Sequence, residues 1–132
     1  MTAGYSGTPP AKKIGIKSGH RVVLRHAPAG WQIPGLPADV AIATDEPESA
    51  DVVLAFFREL ADLVDEAPEL AAGLKPGAML WIAWPRKAGG HVSDIAENDL
   101  REVLLPIGVV DVKVAALDND WSGLKFVWRK RA

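Results

Sequence analysis

The stretch that most constrains the fold is Leu74 to Pro85, LKPGAMLWIAWP, which runs on into the basic loop Arg86-Lys87-Ala88-Gly89-Gly90. No polar side chain interrupts it from Ala78 to Trp84. Entered through Pro76-Gly77 and closed by Pro85, a run of that length has the pattern of a strand buried on both faces rather than of a helix. Such a strand needs covering chain above and below, so the sequence predicts a three-layer α/β domain with a mostly parallel sheet. Open sheets of this kind bind ligands beyond the carboxyl ends of their strands. For this strand that end is Trp84 to Gly90.

At 132 residues the chain has the length of one domain and can bury roughly two thirds of its unfolded surface. Its net charge of -2 gives no reason to expect nucleic acid as a partner. The distribution of charge is uneven: the charges up to Arg25 are all positive, those from Asp45 to Glu69 are acidic except Arg58, and the tail is basic again at Lys125, Arg129, Lys130 and Arg131. These blocks read as solvated faces, or as a field that steers an anionic ligand. The absence of cysteine excludes disulfides, thiolate nucleophiles and sulfur-ligated metal. No apolar run reaches the roughly 20 residues that span a bilayer, and the start lacks the apolar core of a signal peptide, so no membrane partner and a cytoplasmic location are expected.

Met1 to Pro10 reads as a partly ordered arm, with Thr8 as the cap of a two-turn helix that ends at Gly15. Ile16 to Pro28 repeats the device of the central stretch, a Lys-x-Gly turn feeding a strand, here near Arg21 to Ala27. Three prolines and two glycines in APAGWQIPGLP leave no room for a crossover helix. Asp39 to Thr44 and Asp51 to Phe57 follow as strands. Between Arg58 and Leu74 the apolar positions recur at helical spacing, and Pro68 inside the pattern predicts a kink or two short helices ending at Gly73. Ser93 to Ile107 reads as a second helix opened by the capping box Asp94-x-x-Glu97. Val110 to Leu117 and Leu124 to Arg129 alternate around DNDWSG as a hairpin, with the last strand an edge guarded by Lys125, Arg129 and Lys130.

From Asp51 onward the order of strand, helix, strand entered by LKPG, helix, strand and reversed strand resembles the C-terminal half of a class I, S-adenosylmethionine-dependent methyltransferase. The resemblance implies a sheet of about six strands with a C-terminal antiparallel hairpin, a truncated Rossmann-like methyltransferase fold. Where that family has a glycine-rich cofactor turn after its first strand, this chain has Arg25-His26-Ala27-Pro28-Ala29-Gly30-Trp31, and no NPPY-type motif is present. Gly30, with Asp45 or Glu46 as the acid on a ribose, is what remains for S-adenosylmethionine on this alternative. The pieces Gly15-Ile16-Lys17-x-Gly19, Asp51-Val52-Val53-Leu54, Ser93-Asp94-Ile95 and Asp120-Trp121-Ser122-Gly123 are also similar to a group of small actinobacterial proteins known as a domain of unknown function. That resemblance implies no activity and no catalytic residues.

A mostly parallel sheet would gather His26, Trp31, Arg58, Trp84, Arg86, Lys87, Trp121 and Ser122 at its carboxyl edge. Aromatic planes beside Arg and Lys can stack a flat group and hold a phosphate or carboxylate. The competing reading has Trp84 and Trp121 as core packing. DNDWSG imitates half a calcium loop, but position twelve is Arg129 where a Glu is needed, so an Asx turn is expected. The three histidines have no metal-ligand spacing, and neither a Gly-x-Ser-x-Gly elbow nor a phosphate-binding P-loop is present. The sequence therefore predicts a non-catalytic binding or interaction module without a cofactor, its partner a small molecule or a protein. A divergent S-adenosylmethionine-dependent methyltransferase is the alternative, and a homodimer through the hairpin's exposed face is a further expectation.

Overall fold

The computed structural model describes residues 9–43, 49–87, 90 and 92–129. Helix α1 (Pro10–Ile14) begins with Pro10 where a missing N–H is harmless, and it stops at Gly15 in the left-handed conformation, φ 93°. Strands β1 (Arg21–Arg25), β2 (Ala41–Ala43) and β3 (Val52–Phe56) follow, then helix α2 (Leu60–Ala72) and strand β4 (Met79–Pro85). Helix α3 (Glu97–Leu104), a 3-10 turn (Leu105–Ile107) and strands β5 (Val109–Ala116) and β6 (Trp121–Trp128) complete the described chain. The expected arm up to Thr8, and Thr8 as a cap, lie outside the described residues.

The sheet order is β2-β1-β3-β4-β6-β5, with β1 to β4 mutually parallel and β6 antiparallel to both of its neighbours. β4 lies inside the sheet and is buried from Leu80 to Pro85, as its unbroken apolar run requires. The turns feeding β1 and β4 are the same device. His20 N–H donates to Lys17 O and Ala78 N–H to Lys75 O, each at 3.1 Å, around Gly19 and Gly77 with φ near 80°. A side chain at either glycine would have to adopt a conformation that L residues rarely hold.

α2 and α3 cover one face of the sheet, packing Leu63, Leu70, Leu100 and Leu104 against Val53, Leu80, Ile82 and Phe126. The opposite face is covered by α1 and the irregular segment that carries Ile33, packed on Val22, Leu54 and Trp81. The third layer is thus one short helix and a proline-glycine loop, and the indole of Trp81 ties it down by donating Nε1–H to Ile14 O at 2.9 Å.

Three sequence expectations are corrected. β6 is not an edge: it returns to pair with β4 from Leu80↔Phe126 to Pro85↔Trp121, because Leu124 and Phe126 bury more apolar surface there than at a margin. β5 is the edge, blunted by a register shift between Asp111 and Lys113, and it exposes Val112, Lys113 and Val114. Pro68 does not divide α2, which runs through it, since the carbonyl it leaves unbonded belongs to Val64 on the solvent side. Asp94 does not cap α3. Its Oδ1 accepts from Leu60 N–H at 2.8 Å, capping α2 from across the sheet end, and α3 starts after Ala96, whose N–H donates to Asp99 Oδ2 at 2.8 Å.

Two carboxylates pin the framework. Asp51 accepts the backbone N–H of Arg21 at 2.8 Å and pairs with Lys75 at 3.0 Å, and these contacts, in that order, hold its carboxyl below the usual value. Asp111 accepts Arg101 Nε–H at 2.9 Å, which lowers its carboxyl likewise and ties α3 to β5. Both pKa values lie lower in the folded than in the unfolded chain. Their stabilisation is therefore complete above the unfolded value near 4 and is lost as the pH falls through the folded values. Chemical denaturation should show unfolding free energy falling below about pH 4, and Asp51→Asn together with Asp111→Asn should flatten that slope.

Candidate functional site at the carboxyl ends of the strands

From β1 the chain crosses one way to β2, while β3 and β4 lie on its other side. The carboxyl ends of β1 and β3 therefore flank a topological switch point, where open sheets leave a crevice. The register Leu24↔Leu54 and Arg25↔Ala55 brings His26 beside the end of β3. His26 is left-handed at φ 60°, alone in this among the described non-glycine residues. Such a backbone is held only where its surroundings over-determine it, at about 1 kcal/mol or more.

Glu66 of α2 supplies that restraint. Its Oε2 accepts His26 Nε2–H at 2.6 Å, while Oε1 accepts from Arg25 at 3.2 Å, and Glu69 stands 3.7 Å from the same guanidinium. The His26 ring also sets its edge to Phe57, with centroids 5.6 Å apart. Opposite, Trp121 is buried against Phe56 (4.9 Å, edge-on), and Phe56 meets Trp31 at 4.8 Å in the same way. The exposed guanidinium of Arg58 lies 5.0 Å over the Trp121 ring. Among the described residues it has no carboxylate partner.

Between these walls is a cleft of about 440 Å³, floored by Phe56 and Phe57 and rimmed by His26, Arg58, Asp62 and Glu66. A second hollow of about 240 Å³ adjoins it across Pro28, Arg58 and Trp121, reaching Trp31 and Asp118. Asp118 organises that side. Oδ2 accepts the Trp31 indole N–H at 2.9 Å, and Oδ1 accepts the N–H groups of Asp120 and Trp121 at 2.8 Å, making the Asx turn that DNDWSG predicts. A hollow of about 460 Å³ at the opposite end of the sheet is lined by Leu74, Pro76, Trp128 and Arg129, and the Trp128 indole N–H there is already bonded to Leu74 O at 2.6 Å.

Of the residues expected at this edge, His26, Arg58 and Trp121 meet in the cleft and Trp31 in the adjoining hollow. Trp84 does not join them: it points to the opposite face and is buried in the core under α2 and α3. Ser122, paired between Trp84 and Ala116, shares that opposite face. Arg86 is tied to the hairpin turn, its guanidinium on Asp118 O at 3.0 Å and its N–H on Asp120 O at 2.8 Å. Lys87 is exposed and lines neither hollow. Gly30 is left-handed, φ 74°, with open space where a side chain would stand. Asp45 and Glu46 lie outside the described residues. Glu66, Asp62, Phe56 and Phe57 were missed. Asp62 and Glu66 carried the one usable signal, a spacing of four on one helix face.

A family model described as protein of unknown function, DUF3052, matches residues 36–130. The chain belongs to this family. No curated protein sequence matches this DUF3052 member significantly. Its fold is methyltransferase-like. A S-adenosylmethionine-dependent methyltransferase from Aquifex aeolicus superposes with TM-score 0.60 at 16% identity, over 87% of this chain and 85% of that one. The complex of the Haloferax volcanii methyltransferase activator Trm112 with a putative methyltransferase gives 0.60 at 13%, over 93% and 88%. Aeropyrum pernix fibrillarin with natively bound S-adenosylmethionine gives 0.54 at 12%, over 94% and 70%. Identities this low establish the sheet and its connections alone.

The described turn after β1 departs from the glycine-rich turn of the methyltransferase class. The turn after β1, where the methyltransferase class offers glycine N–H groups, carries Pro28, which has none, and His26, clamped to Glu66. No helix among the described residues is long and apolar enough to cross a membrane.

Proposed function

We propose that this DUF3052 member is a non-catalytic binding module that takes a small flat anion in the cleft between the ends of β1 and β3. One observation carries the reading: the guanidinium of Arg58, without a carboxylate partner among the described residues, rests on the Trp121 indole at the switch point of the sheet. A guanidinium held by an aromatic plane is oriented before the ligand arrives, and its fork matches a carboxylate or phosphate. Phe56 and Phe57 offer an apolar floor to the flat part of the ligand. His26 oriented by Glu66 has the form of a general base, but among the described residues the cleft lining holds no Ser, Thr or Cys whose proton it could take. That composition favours binding over catalysis.

Arg58 is the clean probe, because it is exposed, whereas removing Trp121 would hollow the core. Calorimetry with benzoate, adenosine monophosphate and S-adenosylmethionine should find binding of an anionic probe. Arg58→Ala should weaken it about tenfold or more, the size of one lost charge-assisted hydrogen bond. Unchanged affinity in the variant, or S-adenosylmethionine as the sole binder, would sink this reading; the latter would favour the methyltransferase alternative.

A further inference from the structure

A second site lies on the α1 side of the hairpin and is independent of the cleft. On β6, Lys125 stands opposite Trp81 of β4 in the ladder, and on β5, Lys113 stands opposite Lys125. Both side chains therefore rise from the same face of the sheet as Trp81, the face that carries α1, and the charge of Lys17, just beyond α1 in the chain, acts on Lys125. Like charges directly opposite across a strand pair repel. Here Lys125 is also half-buried, and that loss of water, with Lys113 and Lys17 beside it, holds its ammonium below the usual lysine range. None of the three has an acid at ion-pair distance among the described residues.

We propose that Lys17, Lys113 and Lys125 form an anion site for a compact polyphosphate group, a diphosphate or triphosphate. Neighbouring ammonium groups are point charges suited to a multivalent phosphate, whereas a single planar carboxylate is better met by the arginine fork. The site is one cross-strand pair wide, and Trp81, the aromatic side chain opposite Lys125, is buried. Among the described residues the pair therefore has no exposed aromatic platform beside it on which the bases of a single-stranded nucleic acid could stack.

The test uses the full chain carrying Arg58→Ala, so that the cleft does not contribute. Titration with tripolyphosphate at constant ionic strength, followed by lysine-ammonium NMR and calorimetry, should perturb Lys125 and saturate. Lys113→Gln combined with Lys125→Gln should lower the affinity at least about tenfold, consistent with loss of two charge-assisted contacts, and Lys17→Gln should lower it less. Equal response to tripolyphosphate and to adenosine triphosphate supports a free polyphosphate as the ligand. Response only to phosphatidylcholine vesicles doped with a phosphoinositide overturns the free ligand in favour of a lipid headgroup. No saturable response, or one that survives the double substitution, overturns the site. Conversely, the double lysine variant with Arg58 intact should keep the cleft ligand, so failure of one site is distinguishable from failure of the other.

Discussion

Trp81→Ala is expected to destabilise the protein by about 3–5 kcal/mol, the range for deleting a large aromatic from a packed core. Trp81 is fully buried on an inner strand, and its indole is the link between the sheet and the thin layer over it. Two losses coincide: the apolar volume, and the hydrogen bond that holds Ile14 O. A five-residue helix does not persist on its own, so α1 should detach even where the sheet survives. Urea denaturation would give the global loss, and hydrogen exchange would show the amides of α1 and Ile16 opening first. Trp81→Phe should cost less, keeping most of the volume while leaving a buried carbonyl unpaired, about 1–3 kcal/mol. A loss below about 1 kcal/mol for Trp81→Ala would mean that α1 is not docked through this residue.

Gly123→Ala is expected to cost about 1–3 kcal/mol, for the opposite reason of too little space. A Cβ there would stand 2.9 Å from Cε3 of Trp81 and 3.1 Å from Cδ1 of Leu117, both fully buried. The backbone at Gly123 needs no left-handed conformation, so it is the close approach of β6 to the indole that calls for glycine. The two predictions are coupled. In the Trp81→Ala background the new methyl group meets a cavity instead of a ring, and the double variant should lose clearly less than the sum of the singles. Additive losses would mean that Gly123 is constrained by something other than Trp81. Because Gly123 follows Trp121 by two residues on the same face, Gly123→Ala should also loosen the Arg58–Trp121 stack.

The cleft divides into what a linear reading could reach and what it could not. Arg58, His26 and Trp121 follow strand ends, and the rule that parallel sheets bind at their carboxyl edge selects them without coordinates. The same rule selects Trp84 and Ser122 wrongly, since it gives the end of a strand but not the face, and the face depends on a ladder register set by a distant partner. Glu66 looked like one acid among many on a solvated helix. It becomes the restraint on His26 only because α2 crosses over the end of β1. Asp94 carried a correct capping signal attached to the wrong helix, because a carboxylate caps whichever N-terminus lies within reach in space.

From its sequence alone the chain determined its class of fold. An unbroken apolar run between Pro-Gly and Pro can satisfy its backbone and bury its side chains only inside a covered sheet, and Leu74 to Pro85 does so. The repeated turn at Gly19 and Gly77 was equally local, because it needs only its own four residues. Tertiary structure decided the remainder: that β6 lies inside the sheet and β5 at its edge, that Lys113 faces Lys125, and that Arg58 rests on Trp121. These depend on which distant segments meet, and strand pairing is chosen by the apolar area buried across the whole sheet rather than by the residues of any one strand.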